Sequence, residues 1–165
     1  MITLVLGGAR SGKSAVAERL AARAGPAVTY LATATVTDAD MAARVERHRA
    51  RRPAAWPTVE AGADLPAHLG VLDGPVLVDS LGTWVASHAA LDPDVGALVE
   101  ALRARTARSA PTVLVSDEVG LGVHPTTPVG RRFRDVLGDV NRAVADVADE
   151  VLLVVAGRVL RLEAP

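Results

Sequence analysis

A mostly parallel α/β sheet flanked by helices, with an antiparallel hairpin at its C-terminal end, is predicted by three observations. Short apolar runs alternate with helix-spaced segments along the chain, a glycine-rich turn joins the first run to the first helix, and the last two runs flank the tight turn Ala156-Gly157-Arg158. Parallel strands of this kind are covered on both faces, and their ligands bind beyond the carboxyl ends.

The elements follow in order. Ile2 to Leu6 is an apolar run ending in glycines, as a buried strand does, and Ser14 to Ala24 carries Val16, Ala17, Leu20 and Ala21 at helical spacing until Gly25-Pro26 stops it. Ala27 to Ala32 reads as a second strand and Asp38 to about Arg52 as a helix ended by Pro53. Between Ala54 and Gly74, Pro57, Gly62, Pro66 and Gly70 predict irregular structure with one short strand and one short helix. Pro75 to Asp79 is a third strand, Asp94 to Arg108 a helix with Val95, Leu98, Val99 and Leu102 on one face, and Thr112 to Ser116 a fourth strand. Val129, Phe133, Val136, Leu137, Val140, Val144 and Val147 form an apolar stripe that predicts a long helix from Pro128 to Asp149. Val151 to Val155 and Val159 to Leu162 complete the hairpin.

A length of 165 residues predicts one domain spanning 1–165. Half of the residues are apolar, yet charged residues interrupt every segment before the roughly 20 apolar residues needed to cross a bilayer. With no leader pattern at Met1, a cytoplasmic protein is expected. The absence of cysteine excludes disulfides and thiolate chemistry, and leaves four histidines for any covalent step. A net charge of −1 and only Tyr30, Trp56, Trp84 and Phe133 as aromatics argue against a nucleic-acid substrate.

Gly7-Gly8-Ala9-Arg10-Ser11-Gly12-Lys13-Ser14 satisfies the phosphate-loop pattern between a strand and a helix. In that pattern backbone N–H groups cradle phosphates, Lys13 reaches the β- and γ-phosphates, and Ser14 holds Mg2+. The fold class is therefore that of a P-loop NTPase, RecA-like, using ATP or GTP. Such a site needs a second carboxylate on the Mg2+ side at the end of a neighbouring strand, and Asp79 after Val76-Leu77-Val78 supplies one. A lone Asp there also caps a turn at Ser80, and Asp117 and Glu118 compete for the role.

Arg44, Arg51 and Arg52 stand three or four residues from His48, so all can share its helix face. They make a triphosphate-sized positive patch, and clustered cations favour a neutral, nucleophilic imidazole. A solvated basic helix with an incidental histidine fits the same spacing. His68, His88 and His124 lack metal-site spacing and read as surface or loop residues, Trp56 and Trp84 as core or stacking residues. Glu118 to Pro125 reads as a flap or a plain connection.

Taken together, the phosphate loop, Tyr30-Leu31-Ala32-Thr33-Ala34, Met41 with Arg44-Val45 and His48, and Arg52-Pro53 with Trp56, Thr58 and Glu60 resemble one family. So do Val78-Asp79-Ser80-Leu81, Glu118 to Gly122, Arg131 to Asp135 and Ala148 to Val151. It is the bifunctional adenosylcobinamide kinase / adenosylcobinamide-phosphate guanylyltransferase family of cobalamin biosynthesis. The resemblance implies phosphorylation of the aminopropanol hydroxyl of adenosylcobinamide, then GMP transfer from GTP to that phosphate through a guanylylated histidine, matched by His48. It further implies nucleotide contacts at Thr33, Ala34, Thr35, Ala50, Arg51, Arg52, Pro53 and Glu60 beside the phosphate loop, Mg2+ as cofactor, and a trimer. Asp117 departs from the family's usual Asn, and the region between the third and fourth strands is short. A simple kinase in which His48 only binds phosphate is the alternative enzyme. A GTP switch is disfavoured by the missing N-K-x-D motif.

Overall fold

The computed structural model describes residues 1–34, 46 and 52–164. The strands are β1 (Ile2–Gly7), β2 (Thr29–Ala32), β3 (Thr58–Glu60), β4 (Val76–Asp79), β5 (Thr112–Asp117), β6 (Glu150–Val155) and β7 (Arg158–Leu162). They form one sheet in the order β3-β2-β4-β5-β1-β6-β7. Every neighbouring pair is parallel except β6 with β7. One strand, β5, separates the strand that feeds the glycine-rich loop from the strand that ends in Asp79, as in RecA-like sheets. The predicted mixed edge is the β6–β7 hairpin, closed by Ala156 and Gly157 at φ 50° and 73°. Two consecutive positive φ values make a turn whose twist matches the strands it joins.

Alternation along the strands sends side chains to two cores. Val5, Leu77, Val113, Val115, Leu152 and Val154 pack with Val16, Ala17 and Ala21 of α1 (Lys13–Arg23). Ile2, Leu4, Val76, Val78 and Leu114 face the opposite layer. That layer is built from α2 (Leu65–Val71), α3 (Leu81–Ala86), α4 (Val95–Ala107) and α5 (Pro128–Ala145). A 3-10 turn at Gly62–Asp64 precedes α2, so the irregular stretch contains the short strand and short helix expected of it.

Two readings need correction. Helix α5 stops at Ala145 rather than Asp149, because Asp149, just before β6, is already bonded to the start of β1: its N–H donates to the Ile2 carbonyl (2.9 Å) and its carboxylate accepts from the Ile2 N–H (2.6 Å). Val147 thus lies beyond the helix, and Val129, at 65% exposure, is outside the apolar stripe. Helix α3, an element the apolar spacing does not predict, begins at a capping box in which the Ser80 and Thr83 side chains each bond the other's backbone N–H. At six residues it is too short to display periodicity. The expected helix from Asp38 to Arg52, with Met41, Arg44, Val45 and His48, lies outside the described residues except for Glu46 and Arg52, as do Thr35, Ala50 and Arg51. Among the described residues no helix is long and apolar enough to cross a membrane.

One buried cation pins the layers together below the site. Arg105 of α4 is fully buried and donates to Thr112 Oγ1, Leu72 O and Gly74 O, each at 2.6 Å. Burial lowers its pKa to about 10, which leaves it charged at neutral pH. Arg105→Ala removes the donors and leaves the Leu72 and Gly74 carbonyls without these bonds, so we expect a loss of about 3 kcal/mol in urea unfolding. A change below about 1 kcal/mol would contradict this role.

Candidate active site

The glycine-rich loop connects the carboxyl end of β1 to α1. Its shape follows from its glycines: a Cβ on Gly7 would stand 2.5 Å from Ser11 Oγ and 2.8 Å from Val154 O, and Gly12, the N-cap of α1, sits at φ 94°. The loop is braced by Ser11 N–H to Gly8 O at 3.2 Å and by Gly157 N–H to Ser11 O at 2.8 Å. The C-terminal hairpin therefore buttresses the loop as well as closing the sheet, a role its spacing alone did not signal. The N-cap Gly12 offers no side-chain cap and the first turn of α1 holds no acidic residue, a terminus suited to an anion, although the Lys13 N–H already donates to Ser11 Oγ at 3.3 Å. Ala9 and Arg10 are exposed on the rim, and Ser14 is half-buried in the first turn of α1.

Lys13 folds back over the loop. It is 6% exposed, and its ammonium donates to Gly8 O at 3.2 Å and pairs with Asp117 Oδ1 at 2.7 Å. Asp117 ends β5, the strand beside β1. Asp79 ends β4, two strands from β1 and so about 10 Å across the sheet. Its Oδ2 accepts from the Tyr30 hydroxyl at 3.0 Å. Burial, then the Asp79 charge, pushes the Tyr30 phenol far above its ordinary pKa, so it stays a donor at every ordinary pH. Glu118, the third acidic candidate, turns its carboxylate onto its own loop, accepting from Gly120 N–H at 2.7 Å.

On the far side of Asp79 stands a second group. The Arg52 guanidinium lies 3.6 Å from the Tyr30 ring centroid and donates to Thr58 Oγ1 at 3.3 Å. Glu60 is exposed at the end of β3, four strands, or about 19 Å, from β1, and Pro53 is exposed as well. Thr33 is fully buried; its hydroxyl donates to Ser80 O (2.6 Å) and accepts from Ser80 N–H (2.9 Å), fixing the backbone just after Asp79 and leaving Ala34 half-buried beyond it. The structure thus brings Lys13, Ser14, Asp79 and Asp117 to one end of the sheet, and sets Arg52 and Glu60 apart toward the β3 edge.

The remaining candidates have structural surroundings. Trp84 is fully buried, with Nε1 donating to Ala63 O at 3.1 Å, and Trp56 is 7% exposed in the α1 core, so both are core residues. His88 is half-buried edge-on against Trp84, with Nδ1 2.8 Å from Trp84 O. His68 sits on α2 and His124 is exposed. Among the described residues no three His, Cys, Asp or Glu gather as a metal cluster. Any metal here would rest on few protein oxygens, with phosphate and water completing its shell. Ser14 and Asp79 are hard oxygen donors suited to Mg2+ in that mode.

The family model for cobinamide kinase / cobinamide phosphate guanyltransferase matches residues 3–162. The bifunctional adenosylcobalamin biosynthesis protein CobP of Pseudomonas aeruginosa is 43% identical over 166 residues, covering 95% of this chain and 94% of the relative. Proteins of the same description named CobU, from Salmonella typhimurium and Escherichia coli, are each 38% identical, covering 95% of this chain and 97% of theirs.

Proposed function

The chain belongs to the cobinamide kinase / cobinamide phosphate guanyltransferase family, and on that premise we propose that it phosphorylates adenosylcobinamide and then joins GMP to the phosphate through His48. The observation that carries the first half is Lys13 held at the head of α1, its ammonium paired with the strand-end carboxylate of Asp117, with the strand-end carboxylate of Asp79 one strand beyond. In the kinase step the aminopropanol oxygen attacks the γ-phosphorus of ATP or GTP, the β–γ bridging bond breaks, and the nucleoside diphosphate leaves. Gly7 to Ser14 bind the phosphates, and Lys13 balances charge on the β- and γ-oxygens. Mg2+, held by Ser14 and Asp79, supplies further charge neutralisation when bound. Tyr30 fixes one Asp79 oxygen and leaves the carboxylate aimed from a defined rotamer.

In the second step a His48 ring nitrogen attacks the α-phosphorus of GTP and expels pyrophosphate; the corrinoid phosphate then displaces the histidine, giving adenosylcobinamide-GDP. Arg51 and Arg52 are assigned to the triphosphate, and Thr33, Ala34, Thr35, Ala50, Pro53 and Glu60 to the rest of the nucleotide. The support is the sequence resemblance around His48 together with the position of Arg52, stacked on the tyrosine that holds Asp79. Incubation with adenosylcobinamide and GTP labelled in turn at the γ- and α-phosphates tests the pair of reactions. Both labels should reach the corrinoid; γ-label without α-label would leave a simple kinase.

Asp79→Asn keeps an acceptor for Tyr30 and should leave the melting temperature within a few degrees, while Mg2+-dependent turnover falls on the order of 100-fold. A comparable loss confined to Asp117 or Glu118 variants would place the metal carboxylate elsewhere. We further place the enzyme in the cytoplasm as a homotrimer. The resemblance supports the trimer, and the open edge strand β7, with Val159, Leu160 and Leu162 exposed, offers an apolar surface to cover. Light scattering should read three chain masses; a single chain mass would contradict it.

A further inference from the structure

The Lys13–Asp117 pair has a consequence for nucleotide binding. Lys13 is almost fully buried, and a buried ammonium requires an anion. Asp117 Oδ1 supplies it at 2.7 Å. The backbone under Asp117 is clamped on both sides. Asn141 of α5 donates from Nδ2 to the Asp117 carbonyl at 3.1 Å and meets Ser116 Oγ at 2.5 Å, while Glu118 N–H donates to Gly7 O at 3.1 Å. Gly82, at the start of α3, leaves room for the second oxygen: a Cβ there would stand 2.6 Å from Asp117 Oδ2. With the backbone fixed and the carboxylate fitted, the ammonium is freed by a side-chain rotation, of Asp117 or of Lys13, and not by a backbone shift at Asp117.

We propose that Asp117 is a positioning residue that occupies the phosphate-loop lysine before nucleotide arrives, and that the incoming triphosphate must take Lys13 from it. No bond to phosphorus involves Asp117; what changes is the partner of one ammonium. Nucleotide affinity is then the difference between two anions competing for Lys13. The carboxylate stabilises the empty site at the expense of binding, the usual trade where function needs an exposed or exchangeable charge. This inference rests on the reading of Gly7 to Ser14 as the nucleotide site.

The test is calorimetric titration of the full-length protein with GDP in EDTA, which removes the metal from the comparison. Asp117→Asn leaves the buried ammonium without its counter-charge, so we expect the Kd for GDP to fall about tenfold or more, while the melting temperature of the nucleotide-free protein drops. Asp117→Ala should move both quantities in the same directions. If Asp117 merely supported the fold, its loss would loosen the site and weaken binding, so unchanged or weaker binding in whichever variants fold would overturn the proposal. In a Lys13→Ala background the gain from Asp117→Asn should shrink several-fold, since the contested partner is gone; a gain of undiminished size would assign the effect to general repulsion and overturn it as well. A parent protein that bound no GDP would instead sink the nucleotide-site reading itself, which keeps the two failures apart.

Discussion

His48→Ala should abolish covalent capture of GMP and all guanylyl transfer while leaving most of the kinase reaction. Phosphoryl transfer to a hydroxyl is a direct displacement and requires no histidine intermediate. Guanylyl transfer through the enzyme does, because the imidazole nitrogen is the atom bonded to phosphorus between the two displacements. Removing a nucleophile eliminates its pathway instead of merely slowing it, so transfer should fall by at least about 1000-fold. The readout is label from α-phosphate-tagged GTP, on protein and on corrinoid, beside γ-label on the corrinoid from the same preparation. Parallel loss of both labels would show that His48 serves the kinase step too, and retained α-label on the corrinoid would remove it from the second.

Lys13→Ala should cripple phosphorylation with a well-folded protein left behind. The ammonium bonds the loop carbonyl of Gly8 and the Asp117 carboxylate, polar contacts whose loss leaves the sheet and the two apolar cores in place. Loss of one preorganised donor to a reacting phosphate costs roughly 100- to 1000-fold in turnover. Because Asp117 would lose its partner at a site where its side chain is partly exposed, any loss of stability should be modest. Turnover by γ-label transfer and a thermal melt on the same sample check both halves. Near-normal turnover would refute the phosphate-loop assignment.

The parts of this molecule that sequence disclosed are those carried by local chemistry. The loop from Gly7 to Ser14 could be read because Gly7 and Gly12 answer geometric demands that a side chain would not meet, and the sheet because both faces of β1, β4 and β5 are buried and write continuous apolar runs. What was not legible depends on pairing between distant segments. The stop of α5 at Ala145 is dictated by Asp149 bonding Ile2, 147 residues away. The partner of Lys13 is chosen by strand order: with β5 next to β1, Asp117 meets the lysine, whereas Asp79, on β4, stands one strand further off and is held by Tyr30. The bracing of the loop by Gly157 and of Asp117 by Asn141 likewise has no local signature. For Asp79, Arg52 and Glu60, the sequence gives residue types and the sheet gives their order along its carboxyl edge, with Glu60 about 19 Å from β1 at normal strand spacing.

The central claim is that one chain holds GMP covalently on His48 between two reactions. Mass spectrometry of the protein after brief exposure to GTP and Mg2+, followed by peptide mapping under basic conditions that preserve a phosphoramidate, tests it most directly. One added GMP is expected, located on the peptide containing His48 and discharged when adenosylcobinamide phosphate is supplied. An adduct on His68, His88 or His124, or none in a preparation that still transfers α-label to the corrinoid, would contradict it.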